Sequence, residues 1–480
     1  MADKVQPGAR RALLWSFTNT AVGKFGTLFI SIVIARLLGP EEFGTYAVAL
    51  VALAAVLSFN ELGVSLAIVR WEGDPYRIAP TVTTISVVAS IGVFVAAWFA
   101  TPAFTAAMGD STATDVVRLM LVCVLLNGVA ATPAALLQRE YQQGRRTAAD
   151  QVNIWLGAVI SVTLAVMGWG AMSLAVGRVV AAVVFTGMLI RLSPARLSVG
   201  WNREVVRPLM SFGLPLAGSS LIVFAVGYAD QLVVGNRLGT QALGFYLLAF
   251  NLASWPVNIF SQPIRAVAPA AFARIQNDAP RMDHNFRAAF RLVLVIALPA
   301  CAFLAGAALP IVTVVYGEVW APAALALQWL ALQAAVRIVF ELSYDFLAVK
   351  RRSVSLMIIQ VCWLVALLPA LIVGARYGIA GVAVAQCAVA VLVLVLGYAW
   401  ALHRAGIGLF ALLRATLIPI AGGALVWAGG YAAVQGPASA FNAVMIAGAV
   451  ALAITGALTW LSRAYLQTLH GVDIVEEVLL

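Results

Sequence analysis

Long apolar runs, broken by short polar or Gly/Pro-containing segments, occupy almost the whole chain. Fourteen of them reach the length at which an α-helix crosses a bilayer, roughly 20 residues. They lie near 13–37, 43–68, 78–101, 114–137, 152–169, 171–191, 209–235, 242–268, 286–309, 321–347, 354–374, 379–400, 411–432 and 440–462. Apolar residues within each run are continuous rather than alternating, which predicts helices and argues against the short period-two strands of a transmembrane barrel. The first run is too long for a signal-peptide core, carries Lys24 and lacks a small-residue cleavage site before the next run, so it is expected to remain as helix one.

The runs repeat. Leu38, Gly39, Gly44, Tyr46 and Ala49 recur two hundred residues later as Leu238, Gly239, Gly244, Tyr246 and Ala249. Further on, Arg145-Arg146 aligns with Arg351-Arg352 and Trp169-Gly170 with Tyr377-Gly378, at offsets of 206 and 208 that small loop insertions would produce. The repeat contains six helices, an even number, so the second copy is expected to enter the membrane in the same orientation as the first. The architecture this implies is an all-α integral membrane fold of about 14 transmembrane helices. An N-terminal six-helix lobe (1–200) is followed by a parallel C-terminal six-helix lobe (201–404), then by two additional transmembrane helices and a tail (405–480). Parallel repeats of this kind place a substrate cavity between the lobes near the bilayer midplane.

Composition sharpens this picture. Of the 480 residues 63% are hydrophobic and only 10% charged, more apolar surface than a soluble fold could bury. The basic residues fall in alternate loops: Lys4, Arg10 and Arg11, then Arg70 and Arg77, Arg139 with Arg145 and Arg146, Arg203 with Arg207, and Lys350 to Arg352 share one side. The opposite loops hold little beyond Arg36, Arg237 and Arg376, which predicts both termini in the cytoplasm of a multi-pass plasma-membrane protein. The net charge of +10 is then an orientation signal and an attraction to acidic lipid, and no nucleic-acid partner is expected. Cys123, Cys301, Cys362 and Cys387 lie inside apolar runs without paired spacing, and the three histidines are scattered over loops and tail. Neither a metal cluster nor a histidine-based catalytic site is visible, no cofactor is expected, and the absence of a phosphate-binding Gly-x-x-x-x-Gly-Lys-Ser/Thr loop argues against direct ATP drive.

Ionisable residues inside spans cost about 2.5 to 3.5 kcal/mol at a helix centre and so mark candidate sites. Lys24 sits near the middle of helix one, on a polar stripe with Ser16, Thr20, Thr27 and Ser31 at three- and four-residue intervals. It either faces a wet cavity that receives an anion or pairs structurally with an acid on a neighbouring helix. Arg178 follows Gly177 on an otherwise apolar helix six and adds positive charge to the same lobe. Arg337, Glu341 and Asp345 stack at four-residue intervals on helix ten, where Arg337 and Glu341 can pair as a self-neutralising ladder or serve gating, a coupling cation and a substrate anion. Glu61, Asp230 and Arg265 are further coupling or gating candidates, close enough to span ends to be capping or snorkelling residues instead. The linker 192–208 alternates apolar residues with arginines and suits the cytoplasmic interface; the connection 274–291 reads either as a short amphipathic helix before span nine or as a solvated loop.

The segments LLWSFTNTAVGKFGTLFISIVIARLLGPEEFGTYAVAL (13–50), NELGVSLAIVR (60–70) and YADQLVVGNRLGTQALGFYLLAFNLASWP (228–256) resemble the polysaccharide-transport (Wzx-type) flippases. These belong to the superfamily that also holds multidrug and lipid II exporters. The resemblance covers the first lobe and the start of the second. It implies alternating-access translocation of a polyprenyl-diphosphate-linked oligosaccharide to the outer leaflet for surface or exopolysaccharide assembly, without enzymatic chemistry. Lys24, Arg178 and Arg337 are then the candidate substrate-binding residues. The implied partners are the lipid-linked glycan and membrane lipids, with a polysaccharide polymerase and glycosyltransferases to be tested. Several family members carry Gln where this chain has Lys24, so the candidacy of that residue rests on its polar stripe. The rival readings are a cation-coupled multidrug exporter, which would favour acids in the first lobe, and a multispan polymerase or glycosyltransferase, for which neither an Asp-x-Asp motif nor a large outward loop is present.

Overall fold

The computed structural model describes residues 7–60, 64–261, 278–437 and 439–467, with a few positions between 268 and 275; its side chains are described from residue 30 onward, apart from isolated positions. Among the described residues every regular element is helical. In chain order the helices are α1 (Pro7–Asn60), α2 (Val64–Arg70), α3 (Pro75–Ala107), α4 (Ala113–Arg139), α5 (Gln143–Val166), α6 (Ala171–Leu192), α7 (Arg203–Leu238) and α8 (Thr240–Pro256), the last extended by a wide π turn over Val257–Ser261. Then come α9 (Ala279–Gly306), α10 (Ala308–Tyr316), α11 (Ala323–Val349), α12 (Ser353–Gly374) and α13 (Gly378–Val389). A second π turn, Ala390–Val395, leads into α14 (Leu396–Arg404), followed by α15 (Leu409–Gln435) and α16 (Ala440–Gln467).

Each of the fourteen apolar runs falls on helix wherever its residues are described. Eleven described helices are long and apolar enough to cross a membrane; one of them, 353–404, is 52 residues long and has the length of two spans. The first two runs are joined in α1, and the chain turns between them at Gly39 (φ 73°, ψ 175°), a left-handed conformation without cost for a residue that has no Cβ. Pro40 then opens the next helical stretch, where its missing N–H would have had no partner anyway.

Backbone conformation carries the repeat further than residue identity does. Gly239 (φ 85°, ψ 178°) reproduces Gly39 two hundred residues on, and Gly170 and Gly378, 208 apart, both open a helix from positive φ. The helices α4 and α5 correspond to α11 and α12 at an offset of 210, and Tyr141 and Arg351, both at φ 56°, mark the same turn. This corrects the alignment of Arg145-Arg146 with Arg351-Arg352. The true counterpart of Arg351 is Tyr141, because loop arginines follow membrane sidedness rather than helical register.

The chain divides into two compact units, 1–244 and 245–480. In the first, α5 packs along α6, α3 and α6 flank α4, and α7 lies on α1, α2 and α3. Gly44 and Gly244, counterparts in the repeat, meet here: a Cβ on Gly244 would stand 2.3 Å from the Pro40 carbonyl and 3.0 Å from the Gly44 nitrogen. In the second unit α9 packs on α11, α15 and α16. Of the two helices without a repeat counterpart, α15 is docked on α9 by small residues, Gly306 against the Trp427 carbonyl and Gly423 against Leu298. From Ala279 onward the connection before span nine is helical and continuous with that span. Asp278 caps it by accepting from the Arg281 amide, and Phe286 and Phe290 are buried in an aromatic cluster with Phe272 and Phe346.

Candidate functional site

A cavity of about 410 Å³ opens within the first unit among α1, α4, α5 and α6. Its polar lining comes from Ser31, Tyr46, Asn127, Asn153, Ser161, Arg178 and Thr186, and no described carboxylate lines it. Arg178 is exposed and lies beside Tyr46, a neutral neighbour, so its guanidinium gives the cavity a positive charge. An anion entering there would meet a guanidinium, with which it can form charge-assisted hydrogen bonds.

Local sequence explains how Arg178 is held. Its predecessor Gly177 lies where α5 and α6 cross without intervening side chains: a Cβ at Gly177 would stand 2.1 Å from Ser161 Oγ and 2.7 Å from the Gly157 carbonyl. The close crossing fixes the next residue's direction into the cavity. At the start of α6, Glu42 replaces the missing side-chain cap by accepting the Ala171 amide at 2.6 Å. A carboxylate beside a helix N-terminus is stabilised by the helix dipole. Helix one contributes Ser31 to the same lining. Lys24 lies two turns earlier on α1, at a spacing that keeps helix positions on one face; its side chain lies outside the described residues.

In the second unit, Arg337 Nε donates to Glu341 Oε1 at 3.0 Å, the pairing their four-residue spacing predicts. Glu341 also accepts from the hydroxyl of Ser261, at the end of the π turn. Arg337 is 47% exposed and Glu341 14%, and Asp345 is buried one turn further along α11. Asp230 is buried in α7, where a carboxylate oxygen accepts the Gln231 amide at 2.8 Å. Glu61 and Arg265 lie outside the described residues.

The repeat relates the two arginines in a way residue spacing alone does not show. At the offset of 210 that joins α4 to α11, the cavity residue Asn127 corresponds to Arg337; at the offset of 208 that joins α6 to α13, Arg178 corresponds to the buried Gln386. Each half thus carries one arginine and one carboxamide at matched positions, exchanged between helices. Sequence reasoning missed Asn127, Asn153 and Tyr46. Their signal was available, as polar side chains in the middle of apolar runs and, for Tyr46, as a repeated tyrosine. It also missed Arg118, which stacks over the Trp98 ring at 5.0 Å because its position next to a span end hid it.

Comparison with known proteins adds the following. Residues 33–325 match the family described as polysaccharide biosynthesis protein. The succinoglycan biosynthesis transport protein ExoT of Rhizobium meliloti (strain 1021) is 27% identical over 327 residues, covering 67% of this chain and 65% of that protein. The lipopolysaccharide biosynthesis protein WzxC of Escherichia coli (strain K12) is 24% identical over 322 residues, again 67% of this chain and 65% of the relative. The chain therefore spans about 65% of the length of these curated relatives. Among solved structures, the lipid II flippase MurJ in an inward closed conformation has a TM-score of 0.78 at 13% identity, covering 95% of this chain and 100% of that one. An inward-facing multidrug resistance MATE family transporter of the MOP superfamily has a TM-score of 0.63 at 16% identity, covering 81% and 96%. At these identities the likeness establishes the fold, which is that of these all-helical transporters.

Proposed function

Because the chain belongs to the polysaccharide biosynthesis protein family, we propose that it is a flippase moving a polyprenyl-diphosphate-linked oligosaccharide from the cytoplasmic to the outer leaflet by alternating access. The observation that carries this reading is the cavity of the first unit, cationic through Arg178 and lined by no described carboxylate. A diphosphate is the anionic part of such a substrate, and a guanidinium is the side chain best shaped to hold phosphate oxygens in pairs. Asn127, Asn153 and Ser161 supply neutral donors and acceptors beside it. The polyprenyl tail needs no site in the cavity, since it is soluble in the surrounding lipid.

In this reading Lys24 extends the cationic lining along helix one, and Arg337 is a second anion-binding residue available when Glu341 releases it. Glu341 and Asp345, with Asp230, Glu61 and Arg265, serve coupling or gating. The protein sits in a bacterial plasma membrane with both termini in the cytoplasm, carries out no covalent chemistry and works beside a polysaccharide polymerase and glycosyltransferases. A cation-coupled drug exporter is less well supported, because the cavity would then be expected to present an acid.

The test is restoration of surface polysaccharide in a strain lacking its own flippase. Arg178→Gln removes charge-assisted hydrogen bonds worth about 1.5–3 kcal/mol, so headgroup capture weakens roughly ten- to a hundred-fold. Lys24→Gln adds to the loss. Moving the charge within the cavity, as Asn127→Arg with Arg178→Gln, copies the arrangement of the second half and restores part of the activity. Full restoration by the Lys24→Gln, Arg178→Gln double variant would refute the assignment.

A further inference from the structure

The linker between α6 and α7 is tied to α3 on one side and open on the other. Thr84 Oγ1 donates to the Gly200 carbonyl at 2.8 Å and receives the Gly200 amide at 3.1 Å, and the Asn202 amide donates to Thr81 Oγ1 at 3.1 Å. Out of phase with these bonds, Leu197, Val199 and Trp201 stand 39%, 77% and 60% exposed. The segment is thus held to α3 through the backbone of Gly200 and Asn202, while these three apolar side chains stay uncovered.

The outward face continues into a groove of about 750 Å³ lined by Trp201, Arg203, Arg207, Met210 and Leu214, with Val206 beneath. Along the first turns of α7 the groove changes character. Arg203 and Arg207 stand exposed at its start, on the basic side of the protein, while Met210 and Leu214 follow toward the membrane interior. Arg203 to Leu214 is eleven residues, roughly 16 Å of helix. A charged end, an aromatic ring and an apolar end in that order match the headgroup, interface and upper acyl chain of one lipid.

We infer that this groove holds an acidic phospholipid of the leaflet on the basic side, with its phosphate on Arg203 and Arg207 and its acyl chain along Met210 and Leu214. Among the described residues no carboxylate lines the groove, so the two guanidinium charges are its only described charged groups. The occupant is a bulk lipid and not the glycan-bearing substrate, because the groove is poor in groups that would recognise a sugar. Its one hydroxyl, Ser211 Oγ, is spent on the Pro208 carbonyl at 2.9 Å. Acidic phospholipid is abundant in the leaflet, which suits an open groove that binds weakly and fills by concentration. The linker joining the two repeats is thereby pinned to α3 through threonines and to the membrane through a lipid, whatever molecule the protein carries.

The experiment places the full-length protein in bilayer discs of equimolar phosphatidylcholine and phosphatidylglycerol and counts lipids retained after mild ejection, by native mass spectrometry. Wild type is expected to retain phosphatidylglycerol preferentially. Arg203→Gln and Arg207→Gln should each lower that retention by about fivefold, and Arg203→Lys with Arg207→Lys should keep most of it. Arg145→Gln with Arg146→Gln, on the same side but outside the groove, should change nothing. The single variants carry the test if a double glutamine variant does not fold. Equal retention of the two lipids by wild type, or unchanged retention in both glutamine variants, would overturn the inference. So would displacement of phosphatidylglycerol by equimolar polyprenyl phosphate, which would make the groove a station for substrate. The readout is lipid retention, so failure here leaves the proposed transport activity untouched.

Discussion

The crossing of α5 and α6 allows one substitution to be compared with itself on a single helix. Gly177→Ala places a methyl group 2.1 Å from Ser161 Oγ and 2.7 Å from the Gly157 carbonyl, whereas Gly187→Ala, ten residues along α6, meets nothing within 4 Å. Ordinary contact begins near 3.4 Å, so the first change must open the crossing by about 1 Å. Overpacking of this kind costs about 1–3 kcal/mol. The second change has only the better helix propensity of alanine to express, about 0.8–1 kcal/mol in its favour. The two variants should therefore move the apparent melting temperature of the detergent-purified protein in opposite directions. Ser161→Ala removes the nearest clash but leaves the Gly157 carbonyl, so adding it to Gly177→Ala should recover part of the loss and none of the gain seen at 187. Because Arg178 follows Gly177, the Gly177→Ala variant should also restore less surface polysaccharide than its stability alone accounts for. Equal stability of the Gly177→Ala and Gly187→Ala proteins would refute the close crossing as the feature that sets the arginine.

Three further outcomes follow from groups around this scaffold. Glu42→Ala removes the cap from α6 and should cost about 1 kcal/mol, while Glu42→Gln keeps an acceptor for the Ala171 amide and should cost less; thermal unfolding distinguishes the two. Arg139 donates to the carbonyls of Ile68, Val69, Trp71 and Gly73, closing the end of α2, so Arg139→Ala should speed amide hydrogen exchange across 68–74, and Arg139→Lys should repair only part of that. At Asp110, in the α3–α4 turn, burial pushes the carboxyl up, but hydrogen bonds from Thr112, Thr45 and the amides of Thr112 and Ala113 outweigh it and hold the group below the usual aspartate range. Its contribution is thus present at neutral pH and is lost as pH falls below about 4. Wild type should lose more stability than Asp110→Asn on acidification through that range, and parallel loss would show that the turn does not depend on the charge.

Helix number, the turn at Gly39 and the Arg337–Glu341 pair were legible because each is a local pattern: an apolar run of fixed length, a glycine before proline, a four-residue spacing. The cavity was not, because Tyr46, Asn127, Asn153 and Arg178 come from four helices and share no spacing along the chain. Arginine pairs in loops misled the repeat alignment, since a loop arginine answers to the side of the membrane and tolerates sliding. Positive-φ turns do not slide: Gly170 and Gly378 located the counterpart of Arg178, and Tyr141 and Arg351, with the matching helix bounds, that of Asn127. The role of Glu42 was not legible, because its partner, the amide of Ala171, is 129 residues away.

Those counterparts separate two arginines that the sequence offered as equals. Arg337 is engaged by Glu341, which is engaged in turn by Ser261, so its local charge is compensated and an anion could recruit it only by breaking an existing ion pair. Arg178 lies beside a phenol, which carries no negative charge. An anion approaching Arg337 must compete with the Glu341 carboxylate, a modest cost for a partly exposed pair, whereas the neutral phenol beside Arg178 sets no opposing charge. An anion therefore gains more from Arg178 than from Arg337 while both rest as they stand here. Duplication supplied two similar frames, but Glu341 and Asp345 on α11 have only Ala131 and Ala135 as counterparts on α4, so the second frame carries acids that the first lacks. In the proposed transport, anion capture therefore falls first to Arg178 in the first unit, with Arg337 engaged by Glu341.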